Sequence, residues 1–144
     1  MTQPPPPPGY GYPPPPPANS DEKTWALVAT FGAAVGAFVS CGVLGFVGPL
    51  VAFLAKGKES PAVRAHSLAA LNFQAPLSAV AFLFVIVYQC AGNIIPGVGW
   101  LIGLLAGLIS LAVFVVAILF GVLAGVKANE GQFYKYPFTL DLIK

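Results

Sequence analysis

The chain has very little charge. Only seven of its 144 residues are Lys or Arg and five are Asp or Glu, which is 8% of the sequence, whereas a soluble domain carries about 25%. A soluble domain needs a charged surface to stay dispersed, yet here hydrophobic residues make up 57% and the mean hydropathy is +0.80. This composition excludes a soluble enzyme and indicates an integral membrane protein.

Residues that build catalytic or metal sites are also scarce. The single histidine, His66, has no acidic neighbour closer than Glu59 and no metal-ligand spacing. We therefore predict no catalytic residue, no metal site, no cofactor and no enzymatic activity. The two cysteines, Cys41 and Cys90, could form a disulfide only if both lay near the same outer side. We expect two free thiols that act as small apolar residues.

The charges that are present fall in three clusters, separated by two long uncharged stretches. The clusters are Asp21, Glu22 and Lys23; Lys56, Lys58, Glu59 and Arg64; and Lys127, Glu130, Lys135, Asp141 and Lys144. A helix needs roughly 20 apolar residues to cross hydrocarbon. The second uncharged stretch has room for two crossings, with helix breakers in Asn93–Gly99 between them. It predicts a transmembrane helical hairpin over Ser67–Cys90 and Trp100–Val126.

The first uncharged stretch, Trp25–Leu54, has two interpretations. As one helix it would be about 45 Å long, well beyond a core of roughly 30 Å, so a single span would be strongly tilted or kinked. The glycines and proline of Cys41–Pro49 favour two short helices instead, Thr24–Ser40 and Pro49–Ala55, in a re-entrant hairpin. The predicted class is an all-α integral membrane protein with three hydrophobic segments, the first of them broken.

The broken form places all seven Lys and Arg on one side of the membrane. Positive residues favour the cytoplasmic side, so we predict a multi-pass protein of the bacterial cytoplasmic (inner) membrane with cytoplasmic tail and C-terminus. Its divisions are a disordered Pro/Gly/Tyr-rich tail (1–23), a helical membrane domain (24–126) and an amphipathic, aromatic and basic interfacial segment (127–144).

The N-terminal tail is a low-complexity, proline-rich segment. Residues 4–17 read PPPPPGYGYPPPPP, and runs of proline favour polyproline II because the ring fixes φ. The tail has no basic start and no apolar stretch, so it is not a signal peptide. It can serve as a spacer or as a docking peptide for a protein partner with an aromatic groove.

The second hydrophobic segment carries a polar stripe. At about 100° per residue, five polar side chains fall on one side of the helix: Arg64, Ser67, Gln74, Ser78 and Gln89. Such a stripe should face other helices or a watery cleft. It is a candidate substrate path, but helix packing and lipid anchoring are the stronger explanation. Asn72 lies off the stripe and should bond elsewhere, and Pro76 should kink the helix.

Aromatic and basic residues flank the spans. The bilayer is the expected partner, with headgroup contacts made by Arg64, His66, Lys127, Tyr134, Lys135 and Tyr136. The same interleaving occurs in nucleic-acid binding, but a few lysines beside a membrane favour the lipid anchor. We predict no nucleic-acid partner.

Small residues recur at helical spacing and let helix backbones approach closely. The packing positions are Gly32, Gly36, Gly99, Gly103, Gly107, Gly121 and Gly125. With so few helices in one chain, some of these stripes could face a second copy. We therefore expect a homo-oligomer.

Several short motifs together resemble a known family. They lie within Ser20–Leu27, Gly48–Leu54, Glu59–His66, Ala70–Gln74 and Val126–Pro137. In order and spacing they look like a family of small bacterial membrane proteins catalogued as a domain of unknown function. That family is distantly similar to the Tic-type membrane subunit of chloroplast protein import. The resemblance implies an all-helical membrane domain without known catalysis, and the distant relation suggests a protein-conducting or transport assembly.

Two functions follow from the sequence. The first is a non-enzymatic scaffold or accessory subunit of a membrane assembly, with the tail as spacer or docking peptide. The alternative is a small oligomeric transport or translocation component that uses the polar stripe.

Overall fold

The first half of the chain forms two helices that fold back on each other. In the computed structural model, which describes residues 14–140, 142 and 143, α1 spans Ser20–Val39 and α2 spans Val47–Lys56. Helix α1 is capped by Asn19, whose side chain accepts a hydrogen bond from the Glu22 N–H at 2.8 Å. Such a cap satisfies one of the free N–H groups at a helix start. The proline-rich run predicted as polyproline II lies mostly outside the described residues and stays a prediction.

The turn between α1 and α2 closes with a left-handed C-cap. Cys41 has φ 54° and Gly42 has φ 97°, and the Gly42 N–H donates to the Ala37 carbonyl at 2.7 Å. This is the 6→1 hydrogen bond of a Schellman motif, which normally places glycine at the position that Cys41 occupies. The Ser40 hydroxyl donates to the Gly36 carbonyl and accepts from the Leu44 N–H, each at 2.6 Å. The turn thus satisfies much of its own backbone.

Two long helices make up the second half. Helix α3 spans Pro61–Ile94 and α4 spans Gly99–Asn129, so both are longer than the predicted Ser67–Cys90 and Trp100–Val126. Ser60 caps α3 through its hydroxyl, which accepts from the Val63 N–H at 3.2 Å. Pro76 lies inside α3, which continues past it as one helix. Both helices are long and apolar enough to cross a membrane.

The described residues therefore form an all-helical fold of four helices, without strands. Helices α3 and α4 form an antiparallel hairpin, and α1 packs against both of them as well as against α2. A C-terminal strap (residues 132–140, 142 and 143) leaves α4 at Gly131, which has φ 74°. Its aromatic rings pack against α3 and α4.

The charged ends of the helices meet at one end of the bundle, which we call the charged end. The Asp21 carboxylate of α1 lies 3.5 Å from the Lys56 ammonium of α2. Along α4, Gly121 and Gly125 lie against Ala34 and Phe31 of α1, so α1 is antiparallel to α4. The start of α1 therefore lies beside the end of α4. The opposite half of α3 and α4 is the distal half.

Candidate functional site

The polar stripe of α3 divides between the interior and the surface. Ser67, Gln74 and Ser78 are buried inside the bundle. Arg64 is exposed at the charged end and Gln89 is exposed in the distal half. The fold thus brings three of the five stripe residues into one interior row and leaves the two end members on the surface.

Gln74 is the centre of this row and is fully buried. Its Nε2 donates to the Ala117 carbonyl of α4 at 3.0 Å. On the other side lies Gly45 of the α1–α2 turn, where a Cβ atom would come within 2.8 Å of the Gln74 Oε1. Gln74 therefore bridges α4 and the turn, and the absence of a side chain at position 45 makes room for its amide.

The row leaves several polar atoms without a hydrogen bond among the described residues: Ser67 Oγ, Gln74 Oε1 and Ser78 Oγ. A buried polar atom without a partner costs about 1–3 kcal/mol. The three side chains cannot ionise in the physiological range, so they offer hydrogen bonding but neither charge nor proton transfer. The row can pair with amides, hydroxyls or water, and it lacks the groups of a general acid or base.

The charged end carries a small ion-pair network. The Lys56 ammonium lies 2.8 Å from the Glu59 carboxylate as well as 3.5 Å from Asp21. The hydrogen bond with Glu59 is the main cause that raises the pKa of Lys56. Lys127 pairs with Glu130 at 3.0 Å on the last turn of α4. The pair with Asp21 joins the end of α2 to the start of α1, whereas the Lys127 pair is local to the end of α4.

The residues predicted to contact headgroups lie in different surroundings. The Arg64 guanidinium lies 5.5 Å from the centre of the Phe53 ring and remains exposed, as does Lys135. Lys127 is half-buried in its ion pair and Tyr134 is half-buried beside Phe120. His66, by contrast, is buried, with its ring against that of Phe133 at 5.4 Å.

Tyr136 also lies in the protein interior, and this corrects the predicted headgroup contact. Its ring stacks on that of Phe73 at 4.6 Å and only 4% of the residue is exposed. The reason is that the strap folds back over α3 and α4, so the rings of Tyr134 and Tyr136 pack against protein. Burial raises the pKa of the Tyr136 phenol.

The far end of the strap is held by Asn72. The Asn72 amide accepts from the Ile143 N–H at 2.9 Å and donates to the Ile143 carbonyl at 3.0 Å. Both backbone groups of Ile143 are thus paired by one side chain, as an adjacent strand would pair them. The sequence predicted only that Asn72 bonds away from the stripe, and no local pattern identifies a partner 71 positions along the chain.

Most of the predicted packing glycines lie at close helix contacts. A Cβ at Gly32 would lie 3.1 Å from the Gly48 Cα, and one at Gly121 would lie 3.0 Å from the Ala34 Cβ. Gly36 faces the Leu44 carbonyl and Gly125 faces the Phe31 ring. In the distal half Gly99 is buried, and Gly103 and Gly107 lie under the Tyr88 ring with more room, 3.7 and 3.9 Å.

Both cysteines are free and exposed. Gly42, next to Cys41, packs against Ala81 of α3. Cys90 lies about 14 Å further along that helix at 1.5 Å per residue, whereas a disulfide joins Cα atoms less than about 7 Å apart. The fold therefore separates the two thiols.

The comparisons with known proteins identify the family. Residues 21–143 match the family model described as the magnetosome magnetite crystal formation protein family. No curated protein and no solved structure matches the chain significantly. Because the family match covers nearly the whole chain, the chain belongs to this family. With two helices able to span a membrane, it is a small bacterial membrane protein.

Proposed function

We propose that this member of the magnetosome magnetite crystal formation protein family is a non-enzymatic scaffold or accessory subunit that works from one face of the bacterial cytoplasmic membrane. The observation that carries the proposal is that several polar and charged features lie together at the charged end. The ion pairs of Lys56 and Lys127, the strap and the attachment point of the tail all lie there. A single polar face on an otherwise apolar bundle suits a protein that presents segments to soluble partners.

The orientation follows from charge. Lys and Arg favour the cytoplasmic side of a bacterial membrane, and the described Lys and Arg residues belong to the charged end. We therefore place the charged end, the tail and the C-terminus in the cytoplasm. A cysteine introduced at Thr2 in a chain with Cys41→Ser and Cys90→Ser tests this placement. An impermeant thiol reagent should label it in inverted vesicles and leave it unlabelled in intact cells.

The tail serves in this proposal as a spacer or as a docking peptide. Proline runs bind aromatic grooves without losing much conformational entropy. Crosslinking in native membranes, with full-length and tail-deleted chains compared, distinguishes the two roles. A partner that disappears on deletion supports docking, while an unchanged set of partners supports the spacer. If neither chain crosslinks to any protein, the scaffold function is wrong.

The family description refers to magnetite crystals, and we propose that the chain has a supporting role in the membrane assembly that forms them. Among residues 14–140, 142 and 143, His, Cys, Asp and Glu side chains form no group of three that could hold an ion. The homo-oligomer predicted from the sequence stays a proposal, although the small-residue stripes that suggested it lie mostly at contacts within the chain. A monomeric mass in native mass spectrometry from detergent would contradict that state.

A second candidate function is a transport or translocation component. The unpaired polar atoms of Ser67, Gln74 and Ser78 in the bundle interior favour it. The distant similarity to the Tic-type import subunit, which is expected from the sequence alone, would agree with such a function. Solute or ion flux in proteoliposomes that Gln74→Leu abolishes, and that Gln89→Leu leaves intact, would support transport over the scaffold.

A further inference from the structure

The α1–α2 hairpin accompanies the long helices along only part of their length. At its tip, a Cβ on Gly42 would lie 3.4 Å from Ala81 of α3 and 3.8 Å from Phe114 of α4. Beyond that level, α3 continues for about 18 Å to Asn93 and α4 for about 21 Å to Trp100, at 1.5 Å per residue. The bundle is therefore four helices thick at the charged end and two helices thick in the distal half.

The strap fixes how deep the bundle can sit in a bilayer. Its backbone is not helical near Tyr136, which stacks on Phe73. Irregular backbone exposed to hydrocarbon is strongly unfavourable, so the level of Phe73 and Phe120 marks the boundary of the core. From Asn93 back to Phe73 is about 30 Å along α3, which equals the thickness of a typical hydrocarbon core.

With this placement the tip of the α1–α2 hairpin ends inside the membrane. From Phe73 to Ala81 is about 12 Å and from Phe120 to Phe114 about 9 Å, so the tip lies near the middle of the bilayer. The tip suits that position because the Gly42 and Leu44 N–H groups are paired within the turn. Its exposed side chains include large apolar ones: Phe38, Val39, Leu44 and Val47.

We propose that this chain is a membrane wedge that prefers curved bilayers, with its charged end on the convex face. Between the level of Phe73 and the tip, the end of α1 and the α1–α2 turn lie beside α3 and α4, whereas the distal half contains α3 and α4 alone. Each helix occupies a cylinder about 10 Å wide, so the protein displaces more lipid area in the leaflet on the charged side than in the other leaflet. An area excess in one leaflet is relieved where that leaflet is expanded. The protein then has a lower free energy on a curved membrane of the right sign, and it redistributes toward it.

The first test compares the two orientations of the same protein. The full chain, labelled with a fluorophore at its N-terminus, is reconstituted in giant vesicles from which a narrow tube is drawn. An impermeant quencher distinguishes molecules whose charged end faces outward. For these, the ratio of tube to vesicle density should exceed one, and for inward-facing molecules it should fall below one. Equal ratios for both orientations, or enrichment of the inward-facing molecules, would overturn the wedge.

The second test uses the native cysteines to measure the depth of the tip. Cys41 and Cys90 are both exposed on the protein surface, so only the bilayer can make them differ toward a charged maleimide. In sealed vesicles the Cys41→Ser variant should be labelled from the distal side through Cys90, which lies only about 4.5 Å inside the boundary at Asn93. The Cys90→Ser variant should be labelled from neither side of the intact vesicle. Its Cys41 should react only after detergent has dissolved the membrane. Labelling of Cys41 from the distal side would show that α1 crosses the whole membrane, and the wedge would be wrong.

Discussion

The charged end and the distal half of this protein are built by opposite means. At the charged end the helix contacts are made by glycine and alanine, and even the polar Gln74 is fully buried. In the distal half large apolar side chains face outward, among them Leu83 at 56% and Leu104 at 52% exposure. Close backbone contacts stabilise the charged end, whereas the distal half exposes an apolar surface that suits lipid.

This difference reflects the two solvents. In hydrocarbon, burying an apolar side chain between helices gains little, because lipid is equally apolar, so close packing and hydrogen bonds must hold helices together. The charged end has both, through its glycine contacts and through Gln74 and Asn72. The distal half has a two-helix contact beneath Tyr88. We expect equivalent substitutions in the two halves to have very different effects.

The largest contrast should come from alanine at two helical glycines. At Gly48 a Cβ would overlap the Gly32 backbone and lie 2.7 Å from the Ala33 nitrogen, whereas at Gly107 the nearest atom would be 3.9 Å away, on Tyr88. Overpacking against backbone costs about 3 kcal/mol, while Gly→Ala in an open helix gains about 0.5 kcal/mol. Unfolding in detergent should show Gly48→Ala strongly destabilised and Gly107→Ala unchanged or stabilised. Similar values for the pair would contradict the contrast.

The next contrast concerns two asparagines that bond to backbone. Asn72 holds the strap with two hydrogen bonds, whereas the exposed Asn93 donates to the Gln89 carbonyl within its own helix. Asn72→Ala should destabilise the docked strap by about 1–2 kcal/mol, which raises the undocked fraction roughly 5- to 30-fold. Trypsin cleavage after Lys135 should accelerate accordingly, and Asn93→Ala serves as the control. An equal rate in the two variants would show that Asn72 does not hold the strap.

The general architecture could be predicted because it depends on local composition. The second uncharged stretch predicts two long apolar helices, and the structure has α3 and α4 there. The glycine-rich run from Cys41 to Pro49 coincides with the turn between α1 and α2. Both signals arise within a window of about one helix length, because hydropathy and helix breaking act locally.

The strap could not be predicted, because the same residues suit two surroundings. Tyr134, Lys135 and Tyr136 have the pattern of an interfacial anchor, yet Tyr136 is buried against Phe73. What decides between lipid and protein is the pairing of Asn72 with Ile143 and the rings of α3 and α4. These contacts join residues far apart in the chain, and periodicity carries no information about them.

A smaller effect should follow from the contact between Gly45 and Gln74. Gly45 has no side chain, and Gln74 Oε1 would lie 2.8 Å from an added Cβ. Gly45→Ala should therefore turn the amide away from the Ala117 carbonyl and cost about 1 kcal/mol, the net worth of one hydrogen bond. In a Gln74→Ala background the same change should cost almost nothing, because the clash and the hydrogen bond are both gone. Additive losses in the double variant would show that the two residues are independent.

The smallest effect appears only at alkaline pH and only at the charged end. Burial, and to a lesser extent Tyr134, raises the pKa of Tyr136. The phenol therefore stays protonated in the docked strap, whereas in the undocked strap it would lose its proton near pH 10. A raised pKa contributes stability that is complete below about pH 10 and lost as the pH climbs above it. Phenolate absorbance of the wild type minus that of Tyr136→Phe should show a group that titrates above the usual range. Cleavage of the strap, assayed at each pH with a protease that remains active in alkali, should rise together with that group, while circular dichroism shows the helices intact. The Tyr136→Phe variant keeps the ring and should remove the pH dependence. If the absorbance difference between the wild type and this variant is centred near pH 10, the phenol faces water and the strap is an interfacial segment.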